Sequence, residues 1–140
     1  ASMYGNTENM AEILASMLAE AGVRDIRMHN ISKTHVSELI ADSFKYSHIV
    51  LAAPTYNNGI YPLMDSYLED MKALALQNRT VAVLGNGTWA PQSTKLISTK
   101  IGEMKNMKLM ETAVTIKSSV KDAQREELES LSRQIAEEVL

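Results

Sequence analysis

Ser2, Asn6 and Thr7 set short hydroxyl and amide side chains around a turn, and Gly5 lets the backbone of that turn come close to a ligand. Directly behind it Met10, Ile13, Leu14, Met17, Leu18 and Ala21 recur with a helical period. A helix N-terminus has N–H groups without intrahelical partners, and with hydroxyl-bearing residues before it becomes an anion site for which phosphate is the natural guest. The alternative is an ordinary N-cap, in which Asn6 or Thr7 satisfies the first turn and holds no ligand. The chain has neither the Gly-Lys-Ser/Thr loop of nucleoside triphosphatases nor a G-x-G-x-x-G pyrophosphate turn. The first loop therefore suits a monophosphate held without a lysine.

Such a loop needs a frame, and the hydropathy pattern supplies one. The first helix stops at Gly22, and residues 23–31, with Ile26 and Met28 alternating, read as an outer strand. A short helix starts at Ser32 or Thr34 and carries Val36, Leu39, Ile40 and Phe44. His48–Ala53 is a continuous apolar run, as expected of a strand buried on both faces. Pro62 opens a helix striped by Met64, Tyr67, Leu68, Met71 and Leu74. Thr80–Leu84 is a second buried strand, and Leu96, Ile97, Ile101 and Met104 mark another helix. Leu109–Ile116 follows as a strand, then a last helix with Leu128, Leu131, Ile135 and Val139 inward. Strands alternating with helices predict an α/β three-layer sandwich, a parallel sheet covered by helices on both faces.

Composition removes several function classes. The 140 residues make one domain, and a net charge of −3 leaves no basic stripe for nucleic acid. No apolar run approaches the ~18 residues of a membrane span. The absence of cysteine excludes disulfides, iron–sulfur clusters and thiol catalysis in this chain, and fits a reducing, cytoplasmic compartment. The nine methionines read as core filler. His29, His35 and His48 fall at separate places in the pattern, so neither a metal site nor a catalytic residue is expected.

In open parallel sheets ligands bind at the carboxyl ends of the strands. Three loops lie there: Ser2–Thr7, Pro54–Pro62 and Gly85–Pro91. They hold Trp89, the chain's one tryptophan, and Tyr4, Tyr56 and Tyr61 of its five tyrosines. Taken singly, Trp89 could anchor its loop on the core, and Asn57-Asn58-Gly59 could be a simple turn. Taken together, one phosphate-like and two aromatic, amide-rich loops on one edge describe a site for a flat ring system carrying one phosphate. Flavin mononucleotide (FMN) is such a ligand.

Ser2-Met3-Tyr4-Gly5-Asn6-Thr7, Pro54-Thr55-Tyr56-Asn57-Asn58-Gly59-Ile60-Tyr61-Pro62 and Gly85–Trp89 resemble the three flavin loops of the flavodoxin-like domain in flavodiiron proteins (A-type flavoproteins). The resemblance covers essentially the whole chain. It implies that Ser2, Met3, Tyr4, Gly5, Asn6 and Thr7 hold the phosphate. It implies also that Pro54, Thr55, Tyr56, Asn57, Asn58 and Gly59 border the isoalloxazine, and that Asn86, Gly87, Thr88 and Trp89 close its other side, with Trp89 stacking. In the family the third loop usually runs Gly-Ser-Tyr-Gly-Trp. Here Gly87 removes an aromatic contact, and Thr88 replaces a glycine where the backbone nears the ring. Similar proteins carry a diiron domain of metallo-β-lactamase fold, whose ligand set does not occur in these residues. The resemblance thus implies an FMN electron-transfer domain, a carboxyl-terminal part of a larger oxygen or nitric oxide reductase. An electron donor protein would feed it, and it would relay electrons to the diiron centre. A stand-alone flavodoxin-like carrier, or a flavin-free signalling or interaction module of the same fold, are the alternatives. A receiver-type module fits poorly, because Ala1-Ser2 and Pro54-Thr55 stand where its acidic residues would be.

A flavodoxin-like sheet has strand order 2-1-3-4-5, so its first strand is central and leads into the phosphate loop. Ala1 already stands at that loop, and the first strand is not in the sequence. With strands ~4.8 Å apart, leaving out a central one opens a gap of about twice that spacing. Either the boundaries of the sequence cut that strand away or another segment fills its slot; pairing 23–31 directly with His48–Ala53, or strand exchange between chains to give a homodimer, would repair the sheet.

Overall fold

The computed structural model describes residues 6–56, 59–60, 62–87, 90–110, 114–116 and 120–140. In chain order the elements are α1 (Asn6–Glu20), α2 (Val36–Lys45), β1 (His48–Tyr56), β2 (Gly59–Ile60), α3 (Pro62–Ala73), β3 (Thr80–Asn86), α4 (Ala90–Gly102), β4 (Lys108–Leu109), β5 (Val114–Ile116) and α5 (Asp122–Val139). β1 and β3 pair in parallel from His48↔Thr80 to Pro54↔Asn86. β4 and β5 both join the far side of β3 in parallel, and the two-residue β2 folds back antiparallel on the end of β1.

β3 shows why the sheet has two covered faces. Val81 and Val83 pack with Leu51 of β1 and with Met64, Leu68, Met71, Ile97 and Ile101 of the α3–α4 layer. Ala82 and Leu84 pack with Met10, Leu14, Leu18, Leu128, Leu131 and Ile135, the α1–α5 layer. Alternate residues serve opposite layers because strand side chains alternate across the sheet. This is the expected three-layer α/β sandwich.

α1 ends at Gly22 as expected. Gly22 adopts φ +103, with Val23 N–H donating to Leu18 C=O at 3.0 Å and Gly22 N–H to Ala19 C=O at 3.1 Å. That pair of hydrogen bonds closes the helix and needs a left-handed residue at its centre. The same pair of bonds closes α3, where Leu76 N–H donates to Met71 C=O and Ala75 N–H to Lys72 C=O. Here the left-handed residue is Ala75, at φ 59.

Several expectations are corrected. Residues 23–30 form no strand, because a strand needs a ladder partner and none of the described residues provides one. Direct pairing of that segment with β1 does not occur; a cavity lies between them, so the sheet is not repaired in that way. α2 begins at Val36 rather than Ser32 or Thr34, since the His35 ring accepts from Ser37 N–H and caps it. The expected Leu109–Ile116 strand is split into β4 and β5. From Leu109 to Val114 the chain advances five residues while β3 advances three, Val81 to Leu84, so two extra residues interrupt the ladder. Leu74, Leu96, Val139, Val36 and Phe44, expected inward, are exposed.

Candidate functional site

The carboxyl edge of the sheet brings together one described residue from each candidate loop: Thr7, Pro54 and Asn86. α1 begins at Asn6 on this edge, and the Thr7 side chain is 1% exposed. Asn86 Nδ2 donates to Thr7 Oγ1 at 3.3 Å, linking the first loop to the third. Asn86 is in register with Pro54, which is buried and begins the second loop. Thr7, Pro54 and Asn86 therefore form one cluster, although far apart in sequence. Gly87 follows with φ +118, a conformation that a residue with a Cβ rarely adopts.

Of the other expected site residues, Asn6, Thr55, Tyr56 and Gly59 are described only as backbone, at the start of α1 and along β1 and β2. Ser2, Met3, Tyr4, Gly5, Asn57, Asn58, Thr88 and Trp89 lie outside the described residues.

A family model for flavodoxins matches residues 1–131. The chain belongs to the flavodoxin family. Among curated proteins it is 27% identical over 135 residues to the rubredoxin-oxygen oxidoreductase of Megalodesulfovibrio gigas, a match covering 96% of this chain and 33% of that protein. Among solved structures, rubredoxin oxygen:oxidoreductase from the anaerobe Desulfovibrio gigas superposes with a TM-score of 0.88 at 26% identity, covering 97% of this chain and 33% of that one. A flavodoxin from the domain Archaea gives 0.83 at 24% identity, over 99% of this chain and 94% of that one. The chain thus spans about a third of the rubredoxin-oxygen oxidoreductase it matches. Family membership implies a flavin cofactor. No helix among the described residues is long and apolar enough to cross a membrane.

Two charged clusters of this flavodoxin-family domain involve α2 and α5. His29 Nε2 lies 2.5 Å from Asp42 Oδ2, and this hydrogen bond, with Arg27 nearby, holds the Asp42 carboxyl below its usual range. His48 Nε2 is 3.5 Å from Glu138 Oε2, without hydrogen-bond geometry. Lys108 Nζ is 2.5 Å from Glu138 Oε1 and keeps that carboxyl low. No group of metal-ligating side chains occurs among the described residues. The His29–Asp42 bond ties the 23–30 segment to α2, and the Glu138 contacts tie α5 to β1 and β4.

Two sets of contacts were not legible in the sequence. Ser43 is 4% exposed and hydrogen-bonded to the Tyr67 hydroxyl, whose pKa is raised by burial. Arg79 donates from Nε to Ser43 C=O at 3.0 Å, from its terminal nitrogens to Phe44 C=O at 2.9 Å and to Gln77 C=O at 2.8 Å. It thereby satisfies the carboxyl end of α2, where helix carbonyls lack partners. Nothing in the spacing of Ser43 or Arg79 could have announced this, because the partners come from elements far away in the chain.

Proposed function

We propose that this chain is an FMN-binding electron-transfer domain, and that it works as the flavin half of a flavodiiron oxygen or nitric oxide reductase. The observation that carries the reading is the Thr7–Asn86 contact at the carboxyl edge. A hydroxyl has one proton and two lone pairs. By accepting from Asn86 Nδ2, the Thr7 oxygen keeps its proton to donate, and it stands beside the N–H groups of the first turn of α1. A buried donor at a helix N-terminus suits a phosphate. Ser2, Met3, Tyr4, Gly5 and Asn6 complete that cradle. Pro54, Thr55, Tyr56, Asn57, Asn58 and Gly59 border one side of the ring, and Asn86, Gly87, Thr88 and Trp89 the other.

When bound, the flavin supplies one-electron chemistry. The chain's own part is to hold and orient it and to keep water from its face. The partner domain would be the diiron, metallo-β-lactamase-like one, supplied with electrons by a separate donor protein. The match to nearly the full length of an archaeal flavodoxin favours a second reading, an independent carrier of the same cofactor.

Titrating FMN, FAD and riboflavin into the protein tests the cofactor. Quenching of FMN fluorescence with a one-to-one end point, and much weaker response to riboflavin, is expected. Equal affinity for riboflavin would remove the phosphate site from the argument, and a preference for FAD would overturn the cofactor assignment.

A further inference from the structure

The side chains of β3 alternate between the two helical layers, and those of Ala82 and Leu84 face α1 and α5. Asn86 continues that parity, so its amide reaches the α1 layer at the carboxyl edge of the sheet. On α1, Thr7, Met10, Leu14 and Leu18 recur at helical spacing and all are buried. Met10, Leu14 and Leu18 pack in one cluster with Ala82 and Leu84. Thr7 and Asn86 stand at the carboxyl-edge end of this apolar seam, and there the packing turns polar. Asn86 Nδ2 donates to Thr7 Oγ1 at 3.3 Å.

Closing the seam does not require a polar pair. Two apolar side chains of similar shape would fill the same space without taking a hydroxyl and an amide out of water. What the pair adds is direction. A hydroxyl rotates to suit its neighbours, so its proton goes to whichever acceptor is at hand. An amide nitrogen carries donors only, and a threonine oxygen that receives its N–H must turn the hydroxyl proton elsewhere. Among the described residues no acceptor takes that proton. It remains for a ligand beside the N–H groups of the first turn of α1, which lack intrahelical partners.

We propose that Asn86 is a positioning residue for the phosphate. Acting through Thr7, it fixes the buried hydroxyl as a donor and so sets the preference for a phosphorylated over an unphosphorylated flavin. The inference rests on the flavin reading above and refines it: the Asn86 side chain serves the phosphate end of the site, while its backbone borders the ring.

Fluorescence titration with FMN and with riboflavin reads the preference as a ratio of two Kd values, which a general loss of folded protein or of ring binding does not move. Asn86→Asp keeps the side chain's size but presents only acceptors when ionised, so the Thr7 hydroxyl must donate to it instead of to phosphate. The preference for FMN is expected to fall about ten- to hundredfold, the worth of a hydrogen bond to a charged group. A carboxylate also repels phosphate directly, and the Thr7→Val background separates the two effects. There Asn86→Asp retains the repulsion without the reversed bond, so its effect on the ratio should be smaller by about threefold or more. If Asn86→Asp fails to fold, Asn86→Leu decides. It frees the hydroxyl among three staggered positions, so the preference should fall about threefold with Thr7 present and stay constant in the Thr7→Val background. An unchanged ratio in the variant that decides, or an equal fall in both backgrounds, would overturn the proposal and leave the flavin reading standing. Equal affinity of the unaltered protein for FMN and riboflavin would overturn the phosphate site itself, and this inference with it.

Discussion

Asn86 donates a hydrogen bond from Nδ2 to the Thr7 hydroxyl at 3.3 Å, joining the end of the central strand β3 to the first turn of α1. By accepting this bond, the buried Thr7 hydroxyl keeps its own proton to donate at the edge where the phosphate is proposed. Thr7→Ala should cost FMN binding ~1.5–3 kcal/mol, about a ten- to hundredfold rise in Kd. Thr7→Ser should retain most of the affinity. Fluorescence titration of the three proteins reads both effects, and an unchanged Kd for Thr7→Ala would remove Thr7 from the site.

Trp89→Ala is expected to act on the ring rather than the phosphate. Loss of a stacking aromatic should shift the flavin midpoint potential and raise residual flavin fluorescence. Spectroelectrochemistry on the FMN-loaded protein checks this. Unchanged potential and fluorescence would place Trp89 away from the flavin.

Ala75 occupies the left-handed position that closes α3, where glycine is favoured. Ala75→Gly should stabilise the fold by about 0.5–1 kcal/mol, the relief of strain being partly offset by the greater freedom of glycine in the unfolded chain. At Gly87, with φ +118, the reverse change to alanine should cost about 1–2 kcal/mol. Urea unfolding of the two variants should therefore move the midpoint in opposite directions.

Arg79→Ala should destabilise by about 2–3 kcal/mol, because it leaves the α2 carboxyl-terminal carbonyls without their charged donor. Arg79→Lys should recover only part of this, since one ammonium cannot reach three carbonyls in fixed directions. Thermal unfolding of both variants provides the comparison.

The Asp42 carboxyl is held low in the folded protein by its hydrogen bond to His29, and Glu138 by Lys108. A carboxyl whose pKa is lower folded than unfolded stabilises the fold above its unfolded pKa, and this contribution disappears as the pH falls through the folded value. Stability should therefore fall on acidification below about pH 4. Asp42→Asn should remove part of that slope, as measured by urea unfolding at pH 3 to 6.

Much of the architecture follows from local rules that the sequence carries. The continuous apolar runs at His48–Ala53 and Thr80–Leu84 could be satisfied only between two helical layers, and Gly22 could be read as a helix stop because its conformation is nearly its own. The start of α1 was legible for the same reason, since hydroxyl, amide and glycine residues favour the turn that opens a helix. What the tertiary structure decided depends on distant partners. Residues 23–30 alternate like a strand, yet strand identity belongs to a ladder and not to a segment, so they became one wall of a cavity instead. Leu74 and Leu96 follow the helical period but fall where no neighbour covers them, while Ser43 is buried because Tyr67 meets its hydroxyl. The Thr7–Asn86 contact spans 79 positions, a proximity that no local pattern encodes and that only the packing of α1 against β3 creates.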